Sequence, residues 1–224
     1  MDAKLSTINI KPSAAHSHSI IWLHGLGADG HDFEGIVPSL RLDDAANIHF
    51  VFPNAPVQAV TINGGAKMRA WYDILEMSME RQVDVSGIYQ SVAAIEQLIS
   101  EEITKGIPSE NILLAGFSQG GVIALLAGLK YPQKLAGIVA LSTYLPMLEQ
   151  LKVERSPANN STPIFMGHGI LDSVVDVEIG KKAADGLIAL GYDVSWHDYV
   201  IEHSVCVEEV EHIANFINTL FYRP

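Results

Sequence analysis

The stretch Gly116-Phe117-Ser118-Gln119-Gly120, inside "NILLAGFSQGGVIALLAGLKYP", has the residue types and spacing G-x-S-x-G. A serine hydroxyl attacks a carbonyl only when it is held where a base can take its proton. A nucleophile elbow achieves this with a strained turn between a strand and a helix, flanked by small residues so that neighbouring chain can pass close by. Here "NILLAGF" reads as an apolar strand, the residues after Gly121 read as a buried helix, and Gly116, Gly120 and Gly121 leave the room. The first amides of that helix would face the site, which makes the N–H of Gln119 a donor for the oxygen of a tetrahedral intermediate.

Such a serine needs a base, and the base needs an acid to orient it. Where a G-x-S-x-G elbow opens the series, the order along the chain is serine, then Asp or Glu after a later strand, then His after the last strand. "TPIFMGHGILD" delivers Asp172 and "DVSWHDYVIEH" delivers His203 just before a final helix. The rivals fit less well. His197 falls inside a strand, His212 within the last helix, and His16 and His18 near the N-terminus. His168 precedes the acid loop and suits a structural hydrogen bond, while Asp176 falls at the start of the next helix, where capping is its ordinary role. Cys206, the single cysteine, has no elbow and sits at a helix start, so burial rather than nucleophilic chemistry is expected of it.

"SIIWLHGLGADG" supports two readings, because Gly25, Gly27 and Gly30 also match the G-x-G-x-x-G of dinucleotide-binding turns. That chemistry requires an acidic residue for the ribose at the carboxyl end of the second strand. Asp43 and Asp44 have about the right spacing but precede the strand "NIHFVFP" and would sit at its wrong end. The glycines are equally well explained as a loop beside Ser118 that turns the backbone N–H of Leu26 toward the oxygen bound by Gln119.

The elements that must position these residues alternate between strand-like and helix-like through nearly the whole chain, as in a mostly parallel sheet with helices on both faces. Candidate strands are "STINIK", "SIIWLH", "NIHFVFP", "NILLAGF", "LAGIVALS", "TPIFMGHG" and "DVSWHDYV". "SGIYQSVAAIEQLISEEITKG" places Ile88, Val92, Ile95, Leu98, Ile99 and Ile103 on one helical face, and "SVCVEEVEHIANFINTLF" repeats the design near the C-terminus. Two stretches break the rhythm. Residues 57–85 carry an Asn63-Gly64 turn signal that predicts a short hairpin or loop, and "LPMLEQLKVERSPANNSTP" is a second excursion, either lining a site or forming ordinary surface.

Composition narrows the function classes. The 224 residues are expected to form one α/β domain, and 48% hydrophobic with 18% charged residues suits a packed core. Fourteen Lys and Arg against 26 Asp and Glu give a net charge of −12, which argues against nucleic acid and against electrostatic docking on anionic lipid. Any membrane contact would have to be apolar. One cysteine, an N-terminus without the apolar run of a signal peptide and no apolar stretch near the ~20 residues of a membrane span lead to the expectation of a cytoplasmic protein.

"LHGLGADG", "FPNAP", "MRAWYDI", "LAGFSQGG", "GHGILDSVV" and "EHSVCVEEVEHIANFI" together resemble the α/β-hydrolases of the phospholipase/carboxylesterase family, which includes acyl-protein thioesterases and small bacterial carboxylesterases. The resemblance implies the α/β-hydrolase fold, Ser118 as nucleophile, Asp172 as acid, His203 as base, and the amides of Leu26 and Gln119 as oxyanion hole. It also implies that the loop holding "MRAWYDI" helps form an acyl groove touched by Trp71 and Leu75, and that the chain can dimerise. Asp176 departs from the family pattern, standing where relatives usually carry a proline after the paired valines. The expected activity is cleavage of a carboxylic ester or acyl thioester, on a small molecule or an acylated protein or lipid, without metal or cofactor. The other expectation is a hydrolase-shaped binding module that has lost its chemistry.

Overall fold

A computed structural model describes residues 4–12, 15–42, 47–76 and 84–222. Asp43 and Asp44, considered above for a dinucleotide ribose, lie outside the described residues, as do residues 77–83 of the second half of the 57–85 stretch. The strands β1 (Thr7–Ile10), β2 (His18–Leu23), β3 (Ile48–Pro53), β6 (Ile112–Phe117), β7 (Gly137–Leu141), β8 (Ile164–Gly169) and β9 (Val194–Tyr199) form one sheet in the order β1-β3-β2-β6-β7-β8-β9. Six strands run parallel and β1 pairs antiparallel with β3 at one edge. All seven strands read from the sequence are present. The remaining two, β4 (Val57–Val60) and β5 (Ala66–Arg69), form the hairpin signalled by Asn63-Gly64, with Gly64 and Gly65 at φ 65° and 79° in its turn.

Helices cover both faces, and the strand period of two feeds each. In β2, Ile21 and Leu23 pack with α2 (Val85–Thr104) and α3 (Gln119–Lys130), whereas Ile20 and Trp22 pack with Leu40 of α1 (Val37–Leu40) and with α6 (Val207–Phe221). β6 divides the same way: Ile112 and Leu114 go to the first face, Leu113 and Ala115 to the second. The apolar stripe read for residues 86–106 is the buried side of α2, where Ile88, Val92, Ile95, Leu98 and Ile99 all lie in the core. Leu151 of α4 (Leu148–Glu154) and Ala183, Ala184 and Leu187 of α5 (Val177–Ala189) complete that face. The "LPMLEQ" excursion is thus partly helical. Met147 and Leu151, four residues apart and so on one helical face, both lie in the core.

Candidate active site

β6 ends at Phe117 and α3 begins at Gln119, leaving Ser118 between them with φ 54° and ψ −118°, a backbone conformation that L-residues rarely adopt. Two glycines make the turn possible. A Cβ on Gly116 would fall 2.3 Å from the Gly120 carbonyl oxygen, and one on Gly120 would fall 2.6 Å from the His24 carbonyl oxygen. The helix therefore starts in contact with its own strand and with the end of β2. The Ser118 amide donates to the Leu141 carbonyl at 2.8 Å, and the Ser118 carbonyl accepts from the Gly121 amide at 3.0 Å and the Thr143 hydroxyl at 2.7 Å. Three elements hold one strained residue.

Asp172 follows β8 and His203 follows β9, neighbours in the sheet, so their loops emerge side by side at the carboxyl ends of the strands. The His203 Nδ1 lies 2.6 Å from Asp172 Oδ2. The other carboxylate oxygen accepts from the amides of Val174 and Val175, each at 2.8 Å. Burial alone would raise the Asp172 carboxyl, but the bonds from His168, His203 and the Val175 amide outweigh it and hold the group well below the usual carboxylate range. Asp172 is an anion at neutral pH. Its oxygens are taken up by the loop amides and by His203, which leaves the His203 Nε2 as the ring atom available for proton transfer.

His24 sets the loop that follows β2. The Ala55 amide donates to its Nε2 at 3.1 Å, so Nδ1 carries the proton and donates to the Gly25 carbonyl at 2.7 Å. Burial lowers the His24 pKa and keeps this tautomer neutral. The Gly27 amide donates to the Arg69 carbonyl of β5 at 2.8 Å, and the Trp71 Nε1–H donates to the His24 carbonyl at 2.9 Å. Between these anchors the Leu26 amide has no acceptor among the described residues, and neither has the Gln119 amide at the start of α3. The Gln119 side chain is buried and reaches the opposite way: its Oε1 accepts from the Trp71 amide at 2.7 Å and its Nε2 donates to the Tyr72 carbonyl at 2.6 Å.

A cavity of about 330 Å³ gathers Ser118, His203, Leu26 and Gln119 in its lining, with Phe117, Ile62, Asn63, Ile74, Tyr144 and Val174 around them. The residues expected from the "MRAWYDI" loop as acyl contacts lie beside this cavity rather than in its lining. Trp71 does not line this cavity: its bulk is buried, its amide donates to the Gln119 side chain and its indole N–H to the His24 carbonyl. Leu75 does not line it either and is 45% exposed, whereas the adjacent Ile74 turns inward. Ile62 and Asn63 come from the hairpin turn. Of the excursion at residues 145–163, none lines this cavity.

Residues 6–221 match the model of the phospholipase/carboxylesterase family. The chain belongs to that family. Among its relatives, an acyl-protein thioesterase 1 from Yarrowia lipolytica is 37% identical over 215 residues, 94% of this chain and 95% of that one. The crystal structure of SOBER1 from Arabidopsis thaliana superposes with a TM-score of 0.86 at 32% identity, covering 90% of this chain and 98% of the other. An acyl-protein thioesterase 2 from Zea mays superposes with a TM-score of 0.85 at 29% identity over 96% and 99% of the two chains. The fold is that of the α/β-hydrolases.

Within the family pattern the departure at Asp176 is local. Asp176 is the N-cap of α5, its Oδ1 accepting from the Glu178 amide at 2.9 Å, so the capping role read from the sequence is the one observed. The Asp172 loop keeps its own bonds regardless. His168 lies beneath that loop, with Nε2 2.8 Å from the Val175 carbonyl and 3.5 Å from Asp172 Oδ2. Cys206 occupies the N-cap position of α6 without a side-chain capping bond and is partly buried. No helix among the described residues is long and apolar enough to cross a membrane.

Proposed function

We propose that this chain hydrolyses carboxylic esters or acyl thioesters through an acyl-enzyme on Ser118. His203 Nε2 takes the Ser118 proton as Oγ bonds to the carbonyl carbon, and the carbonyl oxygen, now an alkoxide, accepts from the amides of Leu26 and Gln119. Collapse of that intermediate breaks the bond to the leaving alcohol or thiol, which receives the proton from His203. Water then repeats the sequence against the acyl-enzyme, with His203 again as base, and releases the carboxylic acid. Asp172 keeps Nδ1 protonated and aligned throughout and balances the imidazolium. The observation that carries this reading is the 2.6 Å bond from His203 to a carboxylate held ionised, beside a cavity that also contains a strained serine and two unengaged amides.

The apolar wall of Ile62, Ile74, Phe117 and Val174 favours an acyl chain over a polar substituent. With relatives named as acyl-protein thioesterases, an acylated protein is the natural substrate class of this reading. A series of p-nitrophenyl esters and acyl thioesters from C2 to C16 tests the assignment. Turnover should rise with chain length until the cavity is filled, and Ser118→Ala should lower kcat/KM by about 10³-fold or more at unchanged melting temperature. Absence of turnover across both series, or full activity in Ser118→Ala, would contradict it.

A further inference from the structure

At the opposite end of the sheet, where β2 and β3 begin, His49 and Glu102 are buried at 1% and 2% exposure beside His16. The His16 segment enters β2, His49 is the second residue of β3, and Glu102 comes from the last turns of α2. Glu102 Oε2 lies 3.0 Å from His49 Nδ1 and 3.4 Å from His16 Nε2, and all three atoms lie within 4.8 Å of one another. His16 Nε2 is buried and makes no well-directed hydrogen bond. None of these residues takes part in the chemistry at Ser118.

Further polar side chains surround the cluster. The Asn9 side-chain amide lies 2.9 Å from His49 Nε2 and 2.9 Å from the Thr7 hydroxyl. His49 Nδ1 faces the Glu102 carboxylate oxygen 3.0 Å away, a separation that one metal ion bound to both atoms spans as well as a proton does. The Ser19 hydroxyl donates to Oε2 at 2.6 Å, and Lys105 Nζ lies 2.5 Å from the other oxygen, Oε1, so neither fills that gap. His16 Nε2 faces the same carboxylate oxygen at 3.4 Å.

We propose that His16, His49 and Glu102 form a binding site for a zinc-type divalent transition metal. Two imidazoles and one carboxylate are a ligand set for Zn²⁺ and its neighbours, whereas hard cations such as Mg²⁺ take oxygen ligands. Ligands about 2.0–2.1 Å from a tetrahedral zinc stand about 3.3 Å apart, close to the 3.0 and 3.4 Å separations here. Asn9, beside the far nitrogen of His49, and Ser19, donating to the carboxylate, occupy the positions from which outer groups orient metal ligands. The side chain of His16 is 21% exposed and gives the ion a path from solvent. The ion would tie the entry to β2, the start of β3 and the end of α2, and so brace the sheet at the end away from catalysis.

The test uses the full chain, dialysed against a chelator and titrated calorimetrically with Zn²⁺, and separately with Co²⁺ while the visible spectrum is followed. His16→Ala alters only the part-exposed ligand and should fold; Glu102→Gln is the second variant, and His31→Ala, at an exposed histidine paired with Glu34, is the control. Expected are saturable Zn²⁺ binding, tetrahedral Co²⁺ bands and a Zn²⁺-dependent rise in melting temperature. His16→Ala and Glu102→Gln should each weaken the affinity by ~10-fold or more, and His31→Ala should leave it alone. Equal affinity in His16→Ala, no saturable Zn²⁺ binding, or an equal thermal shift from Mg²⁺ would overturn the proposal and leave a simple hydrogen bond between His49 and Glu102.

Discussion

Gln119 contributes to the site with both ends of the residue. Its amide is unengaged at the start of α3, while its carboxamide bonds the Trp71 amide and the Tyr72 carbonyl, fixing the segment between β5 and the Ile74 wall. Gln119→Ala keeps the backbone donor but strands the buried Trp71 amide, at a cost of about 1–3 kcal/mol, and removes one bond from the Tyr72 carbonyl. We expect a lower melting temperature together with a drop in kcat/KM of about tenfold or more, since the wall and the oxyanion loop shift together. Circular dichroism melts and ester kinetics on the same preparation check this. A variant equally active and equally stable would show that the carboxamide positions nothing. His24 acts in the same indirect way, through the Gly25 carbonyl and the Ala55 amide.

At the level of elements, the strand-to-helix junctions carry the reaction, and their glycines are the constraint. Gly120→Ala would push a methyl carbon to 2.6 Å from the His24 carbonyl and 2.7 Å from that of Leu23, both backbone atoms that cannot swing away. The expected result is overpacking of about 1–3 kcal/mol, read as a lower denaturation midpoint, with esterase activity falling further than stability because Ser118 moves with the helix. Retained activity at wild-type midpoint would argue against the close junction. These junctions were legible in the sequence because apolar runs bounded by glycine have few alternatives, and Ser118 and Asp172 each follow such a run, whereas His203 follows the mixed strand β9 and was placed by its order before the last helix. The acyl wall was not legible. Whether Trp71, Ile74 or Leu75 faces the cavity depends on the register of an irregular segment pinned by Gln119, a contact across 48 positions of chain that no local pattern encodes. The His16–His49–Glu102 cluster was hidden for the same reason, its members being far apart in sequence and joined only by the sheet.

The whole molecule places opposed titrations in one fold. Asp172 and Glu102 are held ionised below their usual range, so the stability they give is present above about pH 4 and is lost as acid protonates them. Glu209 has the reverse sign. Fully buried in α6, with its Oε1 where a Cβ on Gly167 would fall 2.1 Å away, it is pushed by burial from an ordinary 4.5 up to about 7. Its neutral form is favoured in the fold, a contribution complete below about pH 4.5 and lost as pH rises through about 7. Relative to wild type, Glu209→Gln should therefore gain stability between pH 5 and pH 8, by an amount on the order of 3 kcal/mol at most. Urea denaturation at the two pH values measures it, and a difference that does not change with pH would show that Glu209 stays ionised.

The central claim is that Ser118 is reactive because His203 and Asp172 make it so. Intact-mass and peptide mapping after treatment with a fluorophosphonate measures this most directly. The account predicts a single adduct on the Ser118 peptide, formed rapidly in the native chain, slowed by about 10³-fold or more in His203→Ala and absent in Ser118→Ala. Labelling of Cys206 or another residue in place of Ser118, or labelling of Ser118 at an unchanged rate without His203, would contradict it.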